Sequence, residues 1–185
     1  MSRPLMLLGV LLLLSLPGQA DRGLAATPPP GELAQNAGEG GGVTGLPLPR
    51  YVSLRADEVN LRTGPGIRYP IDWVYKREGL PVEIIDEFEA WRRVRDREGT
   101  TGWVHQSTLS AERTAIVVGE RRALRAEAES GADAVAWLEP GVIVRLERCG
   151  GDWCEATAQD AGGAGYRGFL LRGELWGVYP TEIID

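Results

Sequence analysis

The chain has 185 residues with 26 acidic side chains against 20 Lys and Arg, a formal charge of −6; a nucleic-acid binder normally shows a basic face, so that class is set aside. Its composition, 43% hydrophobic and 25% charged with 25 Gly and 12 Pro, is that of a turn-rich globular protein and disfavours a mainly helical fold. One histidine and two cysteines are too few ligands for a structural zinc site and leave one candidate base for a catalytic triad, so neither a metal nor a cofactor is expected.

Met1 to Ala20 reads as a secretory signal: Arg3 supplies positive charge, Leu5 to Leu16 is almost wholly apolar, and Pro17-Gly18-Gln19-Ala20 ends in small residues suited to cleavage. Ala25-Ala26 offers a second cleavage position. As a helix the apolar run would rise roughly 18 Å, short of a bilayer core of about 30 Å, so no membrane span is expected after signal removal. The first cysteine is Cys149, which excludes a lipid anchor just after the apolar run. The expected location is periplasmic or secreted. Residues 21–49 then hold seven Gly and five Pro and no aromatic residue; such a segment cannot bury enough apolar surface to offset its ordering entropy and is expected to be a flexible tether.

The remainder repeats itself. Val59-Asn60-Leu61-Arg62 matches Arg122-Ala123-Leu124-Arg125, and the segment Arg77 to Val82 matches Glu139 to Val144. Trp91 matches Trp153, and Gly102-Trp103-Val104 matches Gly168-Phe169-Leu170. Order is kept and spacing drifts little, which predicts two tandem domains, 50–112 and 113–185, in preference to one larger barrel. Within the first, Leu80, Val82 and Ile84 alternate with polar or turn residues, and Trp91 to Arg95 and Thr101 to Val104 follow at short intervals. In the second, Val142 to Leu146, Trp153 to Thr157 and Tyr166 to Leu170 repeat the pattern. The fold class is therefore all-β, a small barrel or sandwich, with helix limited to a turn at Gln106 to Leu109. Thr63-Gly64-Pro65-Gly66 reads as a long turn.

With Tyr69-Pro70, Gly79 and the run Gly102-Trp103-Val104-His105, that turn and the strand before it resemble the bacterial SH3-like (SH3b) family. The first unit matches almost throughout. The second keeps Leu124-Arg125, Pro140-Gly141, Trp153 and Gly168-Phe169 but replaces the glycine-rich turn by Ala126-Glu127-Ala128-Glu129-Ser130, so it resembles a diverged copy. The whole is similar to exported tandem SH3-like proteins of Gram-negative bacteria. The resemblance implies two partly open β-barrels used as a binding or targeting module, often for cell-wall material and often beside peptidoglycan hydrolases.

Catalysis finds little support in the residues. A cysteine hydrolase needs a free thiolate and a base; His105 reads as a turn or surface imidazole, and Cys149 and Cys154 flank the tight turn Gly150-Gly151-Asp152. Export, an even cysteine count and that turn predict a Cys149–Cys154 disulfide. If Leu146 and Ala156 both face the core, a regular register pairing 149 with 154 would set Leu146 opposite Thr157, so a bulge or loop must absorb one residue. Asp86, Glu87 and Glu89 read as solvated acids of a loop, and the run Arg92 to Glu98 as a surface strand with internal ion pairs. A hydrolase would require His105 and a carboxylate to share a cleft.

The aromatic residues are the stronger lead, since Trp and Tyr are favoured where a ring buries area while keeping a polar edge wet. Tyr69, Trp73, Trp91 and Trp103 are the candidates for one ligand groove beside the glycine-rich loop, each weighed against a place in the core. In the strand Trp91 to Arg95 the period of two sets Trp91 and Arg93 on one face, opposite Val94. The expected function is a non-enzymatic module recognising peptidoglycan or an envelope protein; the alternative is a structural or regulatory partner of a cell-envelope enzyme.

Overall fold

The computed structural model describes residues 42–185. The leader 1–20 and residues 21–41 of the tether lie outside the described residues. Among those described no helix is long and apolar enough to cross a membrane. The fold is all-β, and two seven-stranded antiparallel sheets follow one another along the chain.

The first comprises β1 (Arg50–Leu54), β2 (Val59–Arg62), β3 (Ile71–Tyr75), β4 (Pro81–Phe88), β5 (Trp91–Arg95), β6 (Thr101–His105) and β7 (Leu109–Ser110). The second comprises β8 (Thr114–Val117), β9 (Arg122–Arg125), β10 (Ala134–Leu138), β11 (Ile143–Gly150), β12 (Trp153–Gln159), β13 (Gly165–Leu171) and β14 (Leu175–Trp176). Strand order is β3-β2-β6-β5-β4-β1-β7 in one and β10-β9-β13-β12-β11-β8-β14 in the other, the same path walked twice. Each curls around its own core. Leu54, Leu61, Val82, Ile84, Val94 and Val104 fill the first; Val117, Leu124, Val144, Leu146, Ala156 and Leu170 fill the second. Two cores mean two tandem domains rather than one larger barrel. In both copies the strand before the terminal 3-10 turn carries a glycine that the packing requires. A Cβ on Gly102 would stand 2.5 Å from Leu61 Cγ, and one on Gly168 would stand 2.4 Å from the Arg125 carbonyl oxygen, so only glycine lets β6 and β13 approach β2 and β9.

The central hairpin of each barrel carries a bulge. Ile84 faces Val94 and Asp86 faces Arg93, leaving Ile85 unpaired; Leu146 faces Ala156 and Arg148 faces Glu155, leaving Glu147 unpaired. The extra residue reverses the inside–outside alternation, as the cysteine pairing demanded, and Cys149 stands opposite Cys154 with an S–S bond of 2.07 Å. The same positions in the first barrel are Glu87 and Arg92, also directly opposite. The reading of Glu87 as a solvated loop acid is therefore corrected. Strand β4 continues to Phe88, the bulge turns Glu87 inward, and its side chain is fully buried. Arg92 is likewise not a surface residue of the charged run but is 4% exposed.

Glu87 is a buried carboxylate with its partners supplied. Its Oε1 accepts from Arg50 at 2.5 Å and lies 3.3 Å from Arg92 Nε, while the Thr44 amide donates to Oε2 at 2.8 Å and the Thr44 hydroxyl to Oε1 at 2.9 Å. Burial alone would raise its pKa, but the Arg50 and Thr44 hydrogen bonds outweigh it and hold the carboxyl below its ordinary value. Residues 42–49, read from the sequence as the end of the tether, thereby join the first barrel, and Leu48 packs on its core. Among the described residues the contacts of the first barrel reach at least to Thr44, six residues before the expected boundary, because a buried carboxylate must find donors and Thr44 provides two. In the second barrel the main chain at the disulfide is bridged by the C-terminal segment: Cys149 exchanges backbone hydrogen bonds with Ile184 at 2.9 and 3.1 Å.

A polar and aromatic seam joins the barrels. Tyr51, Glu83 and Arg95 form an outward row across β1, β4 and β5, and Glu83 is nevertheless 4% exposed because Tyr179 covers it. The Tyr179 hydroxyl donates to Glu83 Oε1 at 2.7 Å, and Arg95 Nε donates to Oε2 at 2.9 Å. Tyr51 packs against the rings of Trp176 and Tyr179, with centroids 5.2 and 4.6 Å away. Burial, with the Glu83 charge beside it, pushes the Tyr51 phenol up to about 12. The loop carrying Tyr179 is itself shaped by Arg172, which is 8% exposed and donates to the carbonyls of Tyr179 and Glu182, both at 2.7 Å.

Three expectations follow from these contacts. The Cys149–Cys154 bond closes a short loop, so its removal by Cys149→Ser with Cys154→Ser is expected to cost about 2 kcal/mol, loosening the hairpin and the Ile184 segment without unfolding the barrel; urea titration of the variant beside the wild type, with and without reductant, measures it. Because the folded pKa of Glu87 is depressed, its stabilisation is full above about pH 4.5, the ordinary value, and is lost as pH falls through the folded value. Glu87→Gln should therefore be less stable at pH 7 and show a shallower loss of urea midpoint as the pH is lowered below about 4.5. Tyr179→Phe leaves Glu83 Oε1 without its donor and should lower stability by about 2 kcal/mol, with calorimetry resolving two transitions where the wild type shows one.

Candidate functional site

The face that could meet a ligand is set by the strand following the buried pair. Since Arg92 and Val94 point inward, their neighbours Trp91, Arg93 and Arg95 point out. On the adjacent strand β6, Gly102 and Val104 are buried, so Trp103 and His105 share that outer face. Register then brings the side chains into pairs: Trp91 opposite His105, and Arg93 opposite Trp103. Arg62 of β2 lies opposite Trp103 on its other side. The result is a strip of indole, imidazole and guanidinium groups. Trp91 and Trp103 are both half-buried, and the Trp91 and His105 rings meet edge to face at 5.4 Å.

The glycine-rich loop forms one wall. Arg62 anchors it by donating to the carbonyls of Ile67 at 3.1 Å and Tyr69 at 2.8 Å, and the Tyr69 ring folds back onto Gly64, where a Cβ would stand 2.4 Å from its Cδ1. Between this loop and the strip lies a groove of about 460 Å³ lined by Pro65, Ile67, Arg68, Glu89, Trp91 and His105. Ile67, on the loop tip, is 83% exposed. The His105 imidazole is committed to the chain that follows it: its Nδ1 accepts from the Ser107 amide at 3.3 Å and lies 2.7 Å from the Ser107 hydroxyl, capping the 3-10 turn Gln106–Thr108.

Of the four aromatic residues singled out from the sequence, Trp91 lines this groove and Trp103 stands beside it on the same face. Tyr69 belongs to the loop wall, packed on its glycines rather than facing the groove, and is 39% exposed. Trp73 does not join them. It lies directly opposite Leu61, whose side chain enters the core, so it sits on the other face of the sheet, 57% exposed on the edge strand β3. Arg62 was missed. It ends the repeated Val59 to Arg62 block, and the strand alternation that turns Leu61 inward would have turned it out.

The equivalent face of the second barrel is different. Trp153 stands opposite Leu171 rather than a histidine, Phe169 faces Glu155, and Arg167 pairs with Glu155 at 2.8 Å. The anchoring arginine persists: Arg125 donates to the Ala132 carbonyl at 2.8 Å. Its loop, however, has no counterpart of the Tyr69 ring on glycine.

The bacterial SH3 domain family matches the chain twice, over residues 55–111 and 118–177. No curated protein matches. Among solved structures, NlpC2 from Trichomonas vaginalis is similar at 12% identity and a TM-score of 0.31, over 69% of this chain and 48% of that one. NlpC1 from the same organism is similar at 13% identity and the same TM-score, over 69% and 45%. This chain thus spans about half the length of those two. Each family match falls on one barrel, from the segment after its first strand to its terminal strand, and together they cover more than half the sequence: the chain belongs to the bacterial SH3 domain family and carries two tandem copies of its domain.

Proposed function

We propose that the protein is a non-enzymatic, exported binding module whose first barrel recognises peptidoglycan through the groove between the glycine-rich loop and Trp91. The observation that carries this reading is the outward strip of Trp91, Trp103, His105, Arg93 and Arg62. Half-buried indoles provide rigid stacking area at small entropic cost. The exposed Arg93 and the groove residue Arg68 suit the carboxylates of a cell-wall peptide stem, which guanidinium binds in bidentate fashion. Export is supported by the apolar leader and agrees with a Cys149–Cys154 disulfide, a bond that persists in oxidising compartments.

Hydrolysis is the competing chemistry, and one spatial condition for it is met, because Glu89 and His105 line the same groove. Three features favour binding instead. Both sulfurs are paired, the His105 Nδ1 caps its own turn, and no acid is hydrogen-bonded to the imidazole among the described residues, so it lacks an orienting group.

Retention on purified sacculi, compared with capture of proteins from an envelope extract, tests the proposal. Wild-type protein is expected to be retained by sacculi without releasing soluble fragments. Trp91→Ala should weaken retention roughly tenfold with the fold intact, as for a central aromatic contact, and Trp153→Ala should change it little. Loss of sacculus binding altogether, with capture of one envelope protein, would transfer the reading to a partner of an envelope enzyme.

A further inference from the structure

The two barrels end differently. In the first, Tyr75 at the close of β3 and Asp96 just after β5 plug the barrel end. They are 5% and 8% exposed; the Tyr75 hydroxyl donates to Asp96 Oδ2 at 3.1 Å, and the Thr100 amide donates to Oδ1 at 2.8 Å. Strand register puts Leu138 where Tyr75 stands, since Val59 faces Tyr75 and Arg122 faces Leu138. It likewise puts Ala158 where Asp96 stands, two residues past Ala156 as Asp96 is past Val94. Neither replacement side chain has a polar atom, and both are smaller. The hairpin beyond is also longer, running through 159–165 where the first barrel needs only 97–99.

What remains at the end of the second barrel is a groove of about 450 Å³. Its walls include Val135, Trp137, Val142 and Tyr166, and its charged residues are Glu139 and Asp160, with no Lys, Arg or His among the lining. Trp137 is 56% and Val135 43% exposed, on the edge strand β10. A cation already rests on this surface: the Arg121 guanidinium lies 5.1 Å from the Trp137 ring centroid and 3.3 Å from Glu139. Asp160 has no such partner among the described residues. Its Oδ1 accepts from the Gly162 and Ala164 amides, both at 2.9 Å, and its Oδ2 faces the Tyr166 hydroxyl at 3.3 Å. The Ala164 amide above all holds this carboxyl below its ordinary value, so it is charged at neutral pH.

We propose that the open end of the second barrel is a binding site for a primary alkylammonium group, such as a lysine-type side chain of a peptide. The hydrocarbon stem lies along Val135, Trp137 and Val142, and the ammonium is shared between the aromatic surface and the Asp160 carboxylate. This site is on the other barrel from the peptidoglycan groove and does not rest on that reading.

Titration of 15N-labelled protein with n-butylammonium chloride at constant ionic strength tests it. The expected result is a saturable shift of the Trp137 indole N–H and the Gly162 and Ala164 amides, with a dissociation constant in the millimolar range. n-Butanol, which has the same stem and no charge, should bind at least about tenfold more weakly. Leu138→Tyr with Ala158→Asp, which rebuilds the plug of the first barrel, should abolish the response. Asp160→Asn, which keeps the side-chain oxygen that the turn amides use, should weaken butylammonium several-fold and leave butanol unchanged. No response, equal responses to the amine and the alcohol, or a response to N-acetylglucosamine alone would each overturn the proposal.

Discussion

Near the tip of each central hairpin an inward-facing pair of residues must be satisfied without water, and much of each barrel is arranged around how that is done. In the second barrel the pair is a disulfide, which carries no polar requirement and needs nothing but its own two sulfurs. In the first it is Glu87 against Arg92, and two buried charges require further donors and acceptors. Arg50, Thr44 and the carbonyl of Glu89 supply them. The ionic solution therefore draws residues from before the first strand into the fold, while the covalent one does not need to. The bulge ahead of each pair makes both solutions possible, because without it positions 87 and 149 would point outward. The same inversion sets Trp91 on the outer face: its neighbour Arg92 is committed to the interior, so the indole has only the other side of the sheet to occupy.

The seam between the barrels shows the complementary case, a residue that alternation places outside and tertiary contact buries. Glu83 belongs to the outer row of β4. Its counterpart in the second barrel, Arg145, stays exposed. What covers Glu83 is a loop after β14, held in shape by Arg172 and Arg113 through carbonyl and carboxylate contacts. The C-terminal segment is thus held by two arginines as well as by Val178 and Ile184 on the second core, and it presents one phenol to Glu83.

Duplication has left one path of strands and two kinds of surface. The first barrel closes its end with Tyr75 and Asp96 and opens its side, where the glycine-rich loop stands away from Trp91. The second carries the Arg167–Glu155 pair on that face, sets Leu171 opposite Trp153 where the first has a histidine, and opens its end. The cores differ far less than these surfaces, because core positions are constrained by volume and alternation in both copies, whereas loops and barrel ends answer only to local packing.

Much of this was legible in the linear chain. Repeated blocks and period-two alternation marked the strands, the tandem division and the position of the disulfide, since those depend on neighbours one, two or a few residues apart. The need for a bulge was legible as well, from the conflict between pairing Cys149 with Cys154 and facing both Leu146 and Ala156 inward. The burial of Glu87, the recruitment of residues 42–49 and the exclusion of Trp73 from the groove were not legible. Each turns on what stands across the sheet or beyond it: a bulge that changes parity after Ile84, a threonine 43 residues away from its carboxylate, and Leu61 facing Trp73 from the next strand. Periodicity states which residues share a face; only the closing of the sheet around its core, and the packing of one barrel on the other, decides which of those faces remain in contact with water.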